Sequence, residues 1–258
     1  MTGDKTTNSG NGSEGPRSEP KDPNPARLRK FYEVVTLDVA DTGFLVKLDG
    51  RVLKTPAKNN LILPNQELAD RVREEWEQQG EFIDVHTMGV TKITNSAIDF
   101  VGGKESEVVE ELCSYAASDL ICYFAERPEE LVALQNKHWL PVHAWLQKNL
   151  NITLNTGSGI ISMDQPKETL ERFRNEVEKF DRFALSAAHV VTTLTGSAFL
   201  TLTLVQSGIS EESCWAAAHV DEDWQISKWG HDEEAMLRRN ARQLEFHCAS
   251  LILKALTP

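Results

Sequence analysis

From residue 30 to residue 63 apolar side chains recur with the short period of strands. KFYEVVTLDV (30–39) is rich in β-branched and aromatic residues, which suit a pleated, half-buried surface. GFLVKLDGRVLKTP (43–56) holds Asp49-Gly50 between two alternating runs. That dipeptide supplies the positive φ angles of a type I′ turn and predicts a β-hairpin. LILP (61–64) predicts another short strand, closed by Pro64. Asn65 then predicts a helix start, with Leu68, Val72 and Trp76 four residues apart and Gly80 as the stop. Residues 81–100 mix residue types and predict a further short strand or a loop.

Near residue 104 the period becomes helical and stays so. Val108, Leu112 and Ala116 mark one helix. Leu131, Leu134, Val142 and Trp145 mark another, which Pro141 bends or divides. Leu170, Phe173, Val177 and Phe180 mark a third, and Leu237, Ala241, Leu244, Cys248 and Leu251 the last. No charge falls between Phe183 and Ser210, a length that could span a bilayer. The stretch carries Ser186, His189, Thr192, Thr201 and Gln206, with small residues such as Ala187 and Gly196. A helix apolar on every side also suits the centre of a bundle, and that is the reading adopted. The expected fold class is α+β, a small N-terminal β-rich domain (28–103) followed by a larger C-terminal α-helical domain (104–258).

Composition narrows the functions. The 258 residues contain 40% hydrophobic side chains, enough to bury a sizeable core. With 39 acids against 27 bases the net charge is −12, which disfavours nucleic acid and anionic membrane as partners. Residues 1–27 lack large apolar side chains beyond Met1 and predict a disordered tail. It has neither the apolar core of a signal peptide nor the basic excess of a mitochondrial presequence, so a cytoplasmic location is expected. Cys113, Cys122, Cys214 and Cys248 are scattered and predict free thiols in a reducing compartment. Asp119 and Arg127 could pair, but ordinary surface charge is the reading preferred.

The segment Ile209–Ala235 has the densest chemistry. Ser210 predicts a helix cap, with Glu211 and Glu212 in the first turn and Gly230 as the stop. Eight acids stand against Lys228 between Glu211 and Glu234, together with Trp215, Trp224 and Trp229. On one continuous helix Trp215, His219, Glu222, Ile226 and Trp229 share a stripe; Ala217, Asp221, Trp224 and Lys228 form its neighbour. Tryptophan flanked by charge is typical of protein-binding hot spots, although the same spacing also fits core tryptophans beside a solvated acidic face. His219, Glu222 and His231 could be read as a metal-dependent hydrolase site, but no second helix bears ligands at matching spacing. Nucleophile elbow, Walker loop and dinucleotide fingerprint are absent, so no catalytic residue, metal or cofactor is assigned. A membrane-anchored scaffold using residues 183–205 is the remaining alternative.

Several blocks in order resemble a known family. They are RKFYEVVTL, LDGRVLKTPAKN, TNSAID, YAASDLICYFAERPEELVALQ and DEDWQISKWG. The chain is similar, from about residue 30 to 256, to assembly chaperones of the F-type ATP synthase that act on the alpha subunit in mitochondria and alphaproteobacteria. The resemblance implies the same two-part fold and a monomeric, non-catalytic chaperone. It would bind the unassembled alpha subunit and shield its beta-facing surface until the beta subunit replaces it. The family's important glutamate, in the acidic helix ending in Trp-Gly, corresponds to Glu222. Asp221, Asp223, Trp215, Trp224 and Trp229 complete the expected partner-binding set. Where the family usually has Trp-Asp-Pro, this chain has Trp139-Leu140-Pro141.

Overall fold

The computed structural model describes residues 28–159 and 163–256. The expected disordered tail, residues 1–27, lies outside the described residues. Strands β1 (Val35–Ala40) and β2 (Gly43–Leu48) pair antiparallel, with Val35 opposite Leu48 and Ala40 opposite Gly43. Strands β3 (Arg51–Val52) and β4 (Ile62–Leu63) both pair with β2. Asp49 and Gly50 have φ of 47° and 78°, as the type I′ turn requires. Helix α1 (Gln66–Glu77) starts where Asn65 accepts the Leu68 amide, and it buries Leu68, Ala69 and Val72.

Residues 81–88 are loop with a β-bridge at Phe82 and one 3₁₀ turn, as expected, but residues 89–100 depart from the expected strand or loop. They form helix α2 (Gly89–Ser96), which runs on through a π-helical turn at Ala97–Val101. Its own Met88 provides no side-chain cap. Glu75 of α1 does so instead, its two carboxylate oxygens each accepting an amide, Val90 and Thr91, at 2.7 Å. A cap supplied from another element leaves no local signature.

The remaining helices build the larger part. They are α3 (Glu105–Ala117), α4 (Glu129–Leu150), α5 (Lys167–Val177), α6 (Arg182–Thr195), α7 (Ala198–Val205), α8 (Glu211–Ala218), α9 (Val220–Trp229) and α10 (Glu233–Leu256). Strands β5 (Tyr123–Phe124) and β6 (Gly157–Ser158) form a short parallel pair. Pro141 lies inside α4, which stays one helix. The uncharged stretch is two helices, not one, because Gly196 turns left-handed at φ 69° and Ser197 caps α7. Both are packed in the core, where the Thr192 and Thr201 hydroxyls share one hydrogen bond at 2.8 Å. Among the described residues no helix is long and apolar enough to cross a membrane. All four cysteines are free thiols.

Asp119 corrects the expectation of surface charge. It is fully buried, and its carboxylate accepts the Ile121 amide at 3.2 Å and the Phe199 amide at 3.0 Å. Burial pushes its pKa up to about 6, against the bonds from Ser197 and those amides. The residue thereby ties the end of α3 to the start of α7.

Helix α10 forms where the stripe marks the last helix, and its first half is open. Leu237 and Leu244 of that stripe are 70% and 49% exposed. Burial begins further along, at Phe246, Cys248, Ala249, Ile252 and Leu253.

Candidate functional site

The expected single acidic helix is broken at His219, whose φ and ψ are −114° and 20°. Ser210 caps α8 as anticipated, accepting the Ser213 amide. Cys214, Trp215 and Ala217 face inward from α8, whereas in α9 only Val220 is buried. Trp215 and Glu222 therefore do not share one open stripe. Trp215 lies beneath the surface, stacked on His219 with ring centroids 3.8 Å apart and tilted against Phe246.

His219 is fully committed. Its Nδ1 lies 2.9 Å from the Trp215 carbonyl, so Nδ1 carries the proton and donates. Its Nε2 is then the acceptor for Arg242, 3.4 Å away. Burial, with Arg239 and Arg242 nearby, holds its pKa below the ordinary histidine value. His231 stands exposed beyond the end of α9, and Glu222 faces an arginine. No group of three potential metal ligands forms among the described residues, so the metal-hydrolase alternative finds no geometry to support it.

Arg239 of α10, which the sequence did not single out, organises the acids. Only 11% exposed, it meets Glu222 at 3.2 Å and Asp223 at 2.5 Å, while its guanidinium lies 5.9 Å from the Trp215 ring. Asp221 accepts from Gln135 of α4 at 2.7 Å. Lys228 pairs with Glu130 of α4, holding that carboxyl below the usual carboxylate range. Trp139 donates to the Ala217 carbonyl at 2.8 Å. Helix α9 is thus strapped to α4 and α10 by polar contacts. Its outer face carries Trp224 and Trp229 edge to face at 5.5 Å, with Trp229 74% exposed.

Four of the five sequence blocks meet in two pairs. Asp99 of TNSAID accepts from Thr55, Ala57 and Asn59 of LDGRVLKTPAKN. Gln135 and Glu130, from the long block on α4, meet Asp221 and Lys228 of DEDWQISKWG. The solved structure of Atp12 from Paracoccus denitrificans is 34% identical, covers 88% of this chain and 97% of its own, and superposes with a TM-score of 0.83. This chain belongs to the ATP12 chaperone family. The family profile, ATP12 chaperone protein, matches residues 29–147. That span includes α2 and most of α4 but stops short of α9 and α10. A solved structure from Agrobacterium tumefaciens is 38% identical over 92% of each chain, with a TM-score of 0.86. The mitochondrial protein atp12 of Schizosaccharomyces pombe is 24% identical over 81% of this chain and 76% of its own length. The resemblance drawn from the blocks is to this family.

The histidine is locked, and the acids are either paired or open to solvent. The surface offers two aromatic rings, one of them bare, among carboxylates. Such a surface can cover an apolar and basic face of another protein.

Proposed function

We propose that this chain is a non-catalytic chaperone of F-type ATP synthase assembly that binds the unassembled alpha subunit. It shields that subunit's beta-facing surface until the beta subunit takes its place. The observation that carries the reading is the α9 face, with Trp229 74% exposed beside Trp224, Asp221, Glu222 and Asp223. A surface destined for a subunit interface is partly apolar, and basic where it binds phosphates. Aromatic rings among acids complement it in both respects. Membership of the ATP12 chaperone family supports the same reading. We further propose that the chain acts as a monomer in a bacterial cytoplasm, and that residues 28–103 and 104–258 are its two domains.

The test is binding of purified chain to isolated ATP synthase alpha subunit, beside the Glu222→Lys variant, with circular dichroism to report folding. Glu222→Lys sets a second cation against Arg239, 3.2 Å from the present carboxylate, and reverses one charge of the face. The expected result is tight binding by the native chain and at least roughly tenfold weaker binding by a folded variant. Absence of binding by the native chain refutes the assignment.

A further inference from the structure

Away from α9, the described residues form an apolar groove of about 860 Å³ between α2, its π-helical turn and α10. Leu28, Val85, Phe100 and Leu244 line it, 59%, 68%, 72% and 49% exposed. Leu237 extends the same α10 stripe by one further turn and is 70% exposed. Chains that function alone rarely leave so many large apolar side chains together on one face.

The walls are built rigidly. Glu75 holds the start of α2 through two amides. Asp99 fixes the π-helical turn by three bonds to the 55–59 loop. A Cβ on Gly89 would meet the Cys248 sulfur at 2.5 Å, so the two helices are in contact at the groove floor. At the rim Lys92 and Glu245 bond each other at 2.8 Å, and Asp99 keeps its negative charge among the neutral donors Thr55, Ala57 and Asn59.

Three occupants can be weighed. Residues 1–27 end beside Leu28, but after Met1 they contain no large apolar side chain to fill the groove. A second copy would bring a net charge of −12 against −12, an arrangement that mutual repulsion disfavours. An apolar segment of a basic or neutral protein meets neither obstacle. An apolar cleft between two helices whose rim carries only the Lys92–Glu245 pair and Asp99 suits the apolar face of an amphipathic helix.

We infer that this groove is a second client-binding surface, which takes an apolar helix of the unassembled subunit while α9 engages its basic part. The inference rests on the proposed chaperone function. Two separated contacts would let the beta subunit displace the chaperone stepwise, one weak contact at a time.

The experiment titrates isolated alpha subunit against the native chain, Leu244→Glu, Phe100→Glu and Val39→Glu, with circular dichroism of each. Leu244, Phe100 and Val39 are all exposed, so each variant should fold, and Val39 lies on β1 outside the groove. The expected result is roughly tenfold weaker binding by both groove variants and unchanged binding by Val39→Glu. Native binding that both groove variants retain overturns the groove while leaving the chaperone reading intact. Equal weakening by all three variants overturns it as well, because the effect would then be general to apolar surface. Failure of the native chain to bind removes the chaperone reading itself, and the groove's client with it. Sedimentation of the native chain alone provides a further check. A dimer abolished by Leu244→Glu would make the occupant a second copy and overturn the client assignment.

Discussion

Helix α2 packs on α10, whereas α9 packs on α4 and reaches α10 through Arg239, and different physics holds each. Helix α2 meets the face carrying Cys248 and buries Val90, Thr91, Ile93 and Thr94. Helix α9 meets the face carrying Arg239 and buries only Val220. The first is seated by apolar contact, close approach and a half-buried carboxylate cap. The second is seated by charged and polar pairs at or near the surface, which are individually weak. A chaperone with both therefore has one fixed wall and one arm that can lift. Local opening draws on elements with few buried apolar contacts, and α9 is such an element.

The largest break in this contrast comes from Gly89. Its missing Cβ leaves room for Cys248, whose sulfur would lie 2.5 Å and whose Cβ would lie 2.9 Å from an added methyl. Gly89→Ala should push α2 off α10 at a cost of about 1–3 kcal/mol, read as a lower urea midpoint. Adding Cys248→Ala removes the nearer atom and should recover part of the loss. A variant as stable as the native chain would show that the α2–α10 contact yields easily.

Next is Glu75→Gln, which leaves one carbonyl oxygen for two amides and should cost about 1 kcal/mol at neutral pH. The variant also sharpens the pH behaviour. Burial raises the Glu75 pKa in the folded chain, against the bonds from Thr91 and Val90. The folded state then keeps this proton to higher pH than the unfolded state does. The contribution is fully present below the unfolded pKa, declines as pH rises through the raised one, and is flat beyond it. Stability against pH, compared between native chain and Glu75→Gln, should differ in slope within that window. Parallel curves would refute the assignment.

Arg239→Ala acts on the other helix. It removes the partner of Glu222 and Asp223 and the cover over Trp215, and should cost about 0.5–1 kcal/mol. Amide exchange across 220–229 should quicken while that of 89–96 stays slow. Equal acceleration in both segments would mean that α9 does not open alone.

The sequence shows what is local and conceals what is supplied from afar. Asp49-Gly50, the Asn65 cap and the Ser210 cap were legible because each turn or cap is completed within a few residues. Helix α2 was not, since Thr91, Ile93 and Thr94 favour strands and its cap comes from α1. The break at His219 carries no Gly or Pro to announce it. The pairing of Glu222 with Arg239 needs α9 folded back on α10. The stripe Leu237, Ala241, Leu244 was visible as apolar, but spacing cannot say whether another element covers it. The acidic, tryptophan-bearing face was legible in composition, whereas burial separates Trp215 from Trp229 only in three dimensions.

The smallest effect should be that of salt. At about 0.5 M sodium chloride the screening length falls to a few ångströms, close to the spacing of the α9 pairs. Asp223 and Glu222 are 49% and 38% exposed, so ions reach them readily. The Glu75 bonds to α2 are shielded by burial, and salt should leave them nearly unchanged. Amide exchange at 220–229 should therefore rise a few-fold between low and high salt, while exchange at 89–96 moves little. Because Arg239 is only 11% exposed, part of the attachment should survive, and the rise should stay below that caused by Arg239→Ala. A salt effect equal in both helices would mean that α9 is seated by apolar contact after all, and the contrast between wall and arm would fall.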